Sequence, residues 1–226
     1  ERAGIKAGFF GTIYVIGLMI PITFVIGTAT AIYLEEYAPR NWITETIRLN
    51  IANLAGVPSI IYGMLGLGIL VRTLALGRSV LAGALTLSLL VLPVVIVSAQ
   101  EALRSVPSSL RKASYGMGAN HWQTVSKVIL PAALPSIITG FILAISRAIG
   151  ETAPLIMMGA LTFVMFVPEG IMDSFTVMPI QIFNWTSLPK TEFHYVAAAG
   201  STVLLIMLFI LNGIATFIRY KYEVKY

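Results

Sequence analysis

Six stretches of this chain carry no charged side chain: 28 residues at 7–34, 23 at 49–71, 22 at 79–100, 19 at 128–146, 17 at 152–168 and 26 at 193–218. Most reach the roughly 20 apolar residues that take a helix across a bilayer. At that depth no water is available to the backbone, so each spanning segment must satisfy its own N–H and C=O groups. Long uninterrupted apolar runs meet that demand as helices, which predicts an all-α integral membrane protein built as a single domain over 1–226. Composition agrees: 57% of residues are hydrophobic and 11% charged, where soluble domains carry about 25% charged residues. An ordinary water-soluble enzyme is excluded.

Spanning helices are expected at 8–34, 49–72, 79–102, 130–160 and 194–218. The fourth is ambiguous, because Arg147 and Glu151 interrupt the stretch 128–168, which reads as one crossing or two. Orientation arbitrates. A single crossing places nine Lys and Arg, from 35–48, 103–127 and the tail, on one side against five on the other, with Arg147 in the membrane. The positive-inside rule then puts 103–127 and the C-terminus in the cytoplasm and the N-terminus outside. The first apolar stretch is longer than the roughly 7–15 residues of a signal-peptide core. With the N-terminus outside, a further span is expected ahead of Glu1, six in all.

The net charge of +5 speaks to topology rather than to nucleic acid. With no Cys, disulfides, thiolate metal sites and cysteine nucleophiles are excluded. The two His form no metal motif, and no Gly-x4-Gly-Lys-Ser/Thr loop is present to cradle a nucleotide. Gly and Pro recur inside the spans, at Pro21, Pro58, Gly63, Gly66, Gly68, Pro93, Pro135 and Gly140. Such residues are tolerated in lipid and let helices approach closely. Helix-packing seams are expected at Gly140, Ala144 and Ala148 and at Ala52 and Gly56. Trp185 with Phe183, and Phe193 with Tyr195, are expected in an interfacial aromatic belt.

Two constellations can carry function. The first is the loop 103–130, long for a mere connection. Pro107-Ser-Ser109 reads as a helix start; Leu110, Ala113, Ser114 and Met117 share a face; Gly118 can end the helix as its C′ residue. A second short helix is expected at Trp122–Val128. A short amphipathic helix of this kind can dock in a partner's groove or lie on lipid headgroups, and composition alone allows both. The second is Ser146-Arg-Ala-Ile-Gly-Glu-Thr-Ala-Pro154. Charge at membrane depth is costly and usually faces a cavity or a partner. Four residues apart, Arg147 and Glu151 share a helix face and can pair. The planar fork of Arg suits a tetrahedral oxyanion.

The segment Lys112-Ala-Ser-Tyr-Gly-Met-Gly118, nine residues, then Val128-Ile-Leu-Pro131 resembles the EAA loop of ABC importer permeases, Glu-Ala-Ala-x3-Gly-x9-Ile-x-Leu-Pro. Ala113, Gly118, Leu130 and Pro131 match, Ser114 and Val128 are conservative, and Lys112 stands where the motif has Glu. Arg147 to Thr152 resembles the signature of the membrane subunits of phosphate ABC importers. Ala31–Ala38, Ser59–Gly63 and Met178–Trp185 are similar to the PstA-type permeases.

The resemblance implies a type I ABC importer permease fold in a prokaryotic inner membrane. It implies a substrate pathway through Arg147 and Glu151, and ATPase coupling through Lys112, Ala113, Ser114, Gly118, Ala119, Val128, Leu130 and Pro131. The implied partners are a second permease of PstC type, a cytoplasmic ATPase dimer of PstB type that binds the ATP and Mg, and a phosphate-binding protein of PstS type docking on outer loops such as 167–193. The chain itself would hold no cofactor and perform no chemistry. Competing readings are a permease for sulfate or molybdate, a membrane-embedded hydrolase using Ser201 and His194, and a structural or signalling subunit.

Overall fold

A computed structural model describes residues 4–160, 164 and 166–221. Arg2 and Lys225, used in the charge count, lie outside the described residues. Among the described residues ten α-helices form: α1 (Lys6–Ile32), α2 (Trp42–Leu54), α3 (Ser59–Leu65), α4 (Val80–Arg104), α5 (Ser108–Gly116), α6 (His121–Thr124), α7 (Leu130–Ile149), α8 (Ala153–Met158), α9 (Met178–Thr186) and α10 (Thr191–Lys221). Wider π-helical turns extend α1 over Tyr33–Tyr37 and α3 over Gly66–Thr73, and join α6 to α7 over Val125–Ile129. Among the described residues the one β-type contact is a bridge of Ser79 with Ser174.

Four of these helical stretches are long and apolar enough to cross a membrane: Lys6–Tyr37, Val80–Arg104, His121–Ile149 and Thr191–Phe217. They correspond to the expected first, third, fourth and fifth spans, with two corrections. The stretch 49–72 is not one rod, because α2 and the α3 segment meet at 105° across 55–58. There Pro58 lacks an N–H and its ring clashes with the carbonyl four residues back, while Val57 before it is pushed out of the helical region. The expected helix 130–160 likewise ends at Ile149 and restarts as α8 at Ala153. Its N-terminal side reaches back to His121, so the short helix expected at 122–128 is the foot of this span.

The chain divides into two compact units. One is drawn from Glu1–Ile22, Val57–Val91 and Ile145–Leu211. Its elements meet on glycine. A Cβ placed on Gly63 of α3 would lie 2.5 Å from the Pro154 carbonyl oxygen and 2.8 Å from Met157 Cβ on α8, so the two helices touch backbone to backbone. Gly11 meets the Thr176 carbonyl, Gly83 the fully buried Phe175 ring, and Gly200 the Trp185 ring. Trp185 is 3% exposed, so it is a core residue and not part of an aromatic belt. Phe183 and Tyr195 are exposed as that expectation requires. The segment ahead of α9 also closes the start of α4, where the first N–H groups have no intrahelical partner. Val80 N–H donates to the Asp173 carbonyl (3.0 Å) and Leu81 N–H to the Ile171 carbonyl (2.8 Å).

The other unit is drawn from Thr23–Gly56, Leu92–Ala144 and Asn212–Tyr226. Its core packs Ala31 and Leu34 of the first span against Ile96, Ala99 and Leu103 of α4 and against Val125, Ile129 and Ala133 of the 121–149 helix. Gly140 abuts Ser98, and Ala144 and Ala148 are buried, as expected of a packing seam. Ala52, near the end of α2, and Gly56, where the broken span turns, are exposed, so among the described residues they form no buried seam.

Candidate functional site

The loop after α4 folds as its punctuation predicts. Pro107 precedes the first turn of α5 with φ −55°, the angle its ring fixes, and Gly118 adopts φ +83° just beyond the last turn. The next helix opens on a capping box: Asn120 accepts from Gln123 N–H (2.8 Å) and the Gln123 side chain accepts from Asn120 N–H (3.0 Å). Ser114 and Thr124 join the two helices through a buried hydroxyl pair at 2.9 Å.

The residues of the loop motif therefore divide. Ser114 is buried, and Ala119, Val128, Leu130 and Pro131 are half-buried, bracing the loop. Lys112, Ala113 and Gly118 are exposed. Beside them stand Met117 at 82% exposure and Trp122 at 67%, two large apolar side chains held outward on a short rigid element.

What holds α5 in place came from outside the motif. Glu35 and Glu36, in the π-turn that ends the first span, reach under the loop. The Glu36 carboxylate accepts twice from Arg111 Nη1, at 2.6 and 2.7 Å, and its side chain is 4% exposed. Arg111 Nη2 also donates to the Leu103 carbonyl (3.1 Å). Glu35 takes a two-point contact from Arg104, Nε at 3.0 Å and Nη2 at 2.6 Å. His121 Nε2 bonds the Glu36 carbonyl and its Nδ1 bonds Tyr115 O–H, both at 2.8 Å. A carbonyl only accepts, so Nε2 carries a proton and the ring is fixed between the Glu36 carbonyl and the Tyr115 hydroxyl. Sequence reasoning used Ala31–Ala38 only as a likeness; the adjacent acidic pair ending an apolar run, facing the Arg of a later loop, was the signal available.

Gly118→Val places a β-branched residue at a φ that disfavours it, at about 1–2 kcal/mol. The bend between α5 and α6 is expected to yield, and the coupling implied by the loop's resemblance to the EAA loop to fail; ATPase and uptake measured together on the reconstituted transporter check this, and parental coupling would contradict it.

Arg147 and Glu151 lie in the other unit and are brought together, but not within an unbroken helix. Arg147 is in the last turn of α7, and Glu151 lies in the break before α8. Each sits where a helix end favours its charge, the cation by C-terminal carbonyls and the anion ahead of N-terminal amides. Arg147 Nε lies 3.5 Å from Glu151 Oε1; the Arg147 side chain is 60% exposed and that of Glu151 19%. Glu151 borders a cavity of about 10 Å³ shared with Thr12, Val15, Leu155 and Val177, which is room for about one water. The carboxylate thus borders the interior while the loosely held guanidinium is the more exposed partner. Ser201 donates to the Ala197 carbonyl of its own helix (2.9 Å), an ordinary packing arrangement for a hydroxyl in α10.

Residues 23–223 match the family described as the binding-protein-dependent transport system inner membrane component. The chain is 35% identical over 223 residues to the probable ABC transporter permease protein YqgI of Bacillus subtilis, covering 92% of this chain and 75% of that one. It is 33% identical over 219 residues to the phosphate transport system permease protein PstA 1 of Mycobacterium tuberculosis, covering 96% and 71% respectively. Among solved structures it superimposes on the inward-facing MetNI methionine ABC transporter with a TM-score of 0.78 at 18% identity, over 97% of this chain and 96% of that one.

Proposed function

Because the chain belongs to the family of binding-protein-dependent transport system inner membrane components, with the fold of a type I ABC importer permease, we propose that it is the PstA-type membrane subunit of an ATP-driven phosphate importer. Membership of that family makes it a multi-pass permease subunit whose work requires an ATPase and a second permease. The finer reading is the substrate and the division of labour. Arg147 meets phosphate on its path, with Glu151 as its resting counter-ion. The loop 103–130 faces the cytoplasm and seats α5, through Lys112, Ala113 and Met117, on a PstB-type ATPase that binds ATP and Mg. A PstC-type permease completes the path, and a PstS-type protein delivers phosphate from outside.

The observation that carries this reading is the exposed guanidinium of Arg147, held to its carboxylate by one 3.5 Å contact at a helix break. A fully engaged structural ion pair would be short and two-pointed, as Arg104 and Arg111 are with Glu35 and Glu36. A guanidinium in lipid costs several kcal/mol, and a loosely paired one facing a path can offer its fork to a tetrahedral oxyanion. The phosphate transport names of relatives at 33% identity support the choice of anion.

The test is uptake of labelled phosphate at low external concentration, in cells lacking this gene and in cells with it restored, with excess sulfate or molybdate as competitor. Restored uptake that neither competitor suppresses is expected. Dependence of sulfate or molybdate uptake, and not phosphate uptake, on this chain would overturn the substrate while leaving the permease assignment intact.

A further inference from the structure

A second polar surface lies where the α4 span gives way to the 103–130 loop. In the unit that carries α5, α4 and α7 flank a groove of about 420 Å³. Ser98 and Glu101 of α4, with Ser105 just past its end, face Ser136 and Thr139 of α7 across it. The spacing of three and four residues puts each set on one helix face. The groove's floor is tight: a Cβ on Gly140 would lie 2.6 Å from Ser98 Cβ. Thr139 Oγ1 donates to the Pro135 carbonyl (2.8 Å) and accepts from Arg219 Nη1 of α10 (3.2 Å).

Both helices belong to stretches apolar enough to span the membrane, and a surface meeting acyl chains would be apolar. The exposed face of α10 is of that kind, with Leu205, Ile206, Phe209 and Ile210. Along α4 and α7 and just past the end of α4, four hydroxyls and a carboxylate are instead gathered around one open groove. Ionisable groups on spanning helices usually face water or a partner charge. Glu35 and Glu36 are held by short arginine contacts, whereas Glu101, which interacts with Arg104 only through the field, is exposed and borders the groove.

We infer that this groove is a water-filled stretch of the translocation path, on the side of the membrane that the 103–130 loop faces, through which a hydrated inorganic oxyanion passes without being retained. Resting on the permease reading above, the inference names a stretch of path lined by α4 and α7. Hydroxyls exchange hydrogen bonds with the anion's water, and the Glu101 carboxylate opposes its residence. Arg147 favours anion binding; the groove favours release.

The chain has no Cys, so single thiols can be introduced without background. Ser98→Cys and Ser136→Cys are made in the assembled transporter, in inside-out vesicles, and treated with membrane-impermeant thiosulfonates; Phe209→Cys serves as the lipid-facing control. Both groove thiols are expected to react at least about tenfold faster than the control, as groups in water do. At Ser98→Cys the cationic reagent should outpace its anionic analogue, and adding Glu101→Gln should erase that preference. Groove thiols as slow as Phe209→Cys, or a charge preference unmoved by Glu101→Gln, would overturn the inference. ATP-driven release of labelled phosphate, loaded with its binding protein into the lumen of the same vesicles carrying the parent, separates the two readings. Transport of a different anion with fast groove labelling overturns the phosphate assignment alone, and phosphate transport with slow groove labelling overturns the groove alone.

Discussion

Replacing Arg147 by alanine is expected to lower phosphate uptake by about 100-fold or more, equivalent to roughly 2.7 kcal/mol of lost stabilisation along the path, while the subunit still inserts and assembles. Two observations separate function from folding here. The side chain is 60% exposed and its contact with Glu151 is a single 3.5 Å approach, so its removal opens no cavity in the core. Loosely held pairs of this kind contribute little to stability. Arg147→Lys retains the charge but not the planar fork, and should recover only part of the uptake, because a point charge cannot make the two parallel hydrogen bonds that fit an oxyanion. Uptake in membrane vesicles, with subunit assembly followed by co-purification, checks the prediction. Near-parental uptake in Arg147→Ala would remove this residue from the path.

Glu36→Ala should have the opposite profile: a large loss of stability, and a loss of coupling as its consequence. The Glu36 carboxylate is 4% exposed and takes both of its short contacts from Arg111, itself 29% exposed. Breaking a buried pair from one side leaves an uncompensated charge and costs about 3–5 kcal/mol; the partial exposure of Arg111 favours the lower end. The unfolding midpoint of the purified subunit should fall accordingly. Adding Arg111→Leu should restore much of that stability, since no charge is then orphaned, but α5 would have lost its tether to the first span and uptake should stay uncoupled from ATP hydrolysis. Glu35→Ala is a natural comparison. Of its two partners, Arg104 is 56% exposed, so water can take over that guanidinium, and Arg48 is only 3.8 Å away and keeps its bond to the Leu34 carbonyl, so the loss should be smaller. Parental stability in Glu36→Ala would contradict the tether.

Local rules made much of the second unit's loop readable from residues alone. Pro107 and Gly118 bound α5 because one fixes φ and the other tolerates a positive φ, whatever surrounds them. The same rules failed for the helix breaks. Gly17-x3-Pro21 and Gly150-x3-Pro154 have identical spacing, yet α1 runs unbroken through the first pair and the chain breaks at the second. At Gly150–Pro154 the restarted helix α8 packs its backbone against Gly63, a contact between residues about ninety positions apart that no local pattern announces. Trp185 was misplaced for a related reason: its composition fits a membrane interface, but Gly200 leaves room for its ring inside the core.

Sequence by itself determined that the chain is helical and crosses a membrane, because apolar runs of that length in lipid can satisfy their backbone in no other open form. It also determined where α5 begins and ends and that Arg147 and Glu151 lie within reach of each other, both matters of a few covalently linked residues. Only the tertiary structure decided that the second span is bent by 105°, that the 147–151 pair sits at a helix break, that Glu35 and Glu36 hold Arg104 and Arg111 from 69 and 75 positions away, and that the polar side chains of α4 and α7 face one groove. Each of these depends on which helix faces share space, and the free energy that selects them comes from close packing and charge pairing between segments remote in sequence, which leave no periodic trace in either segment alone.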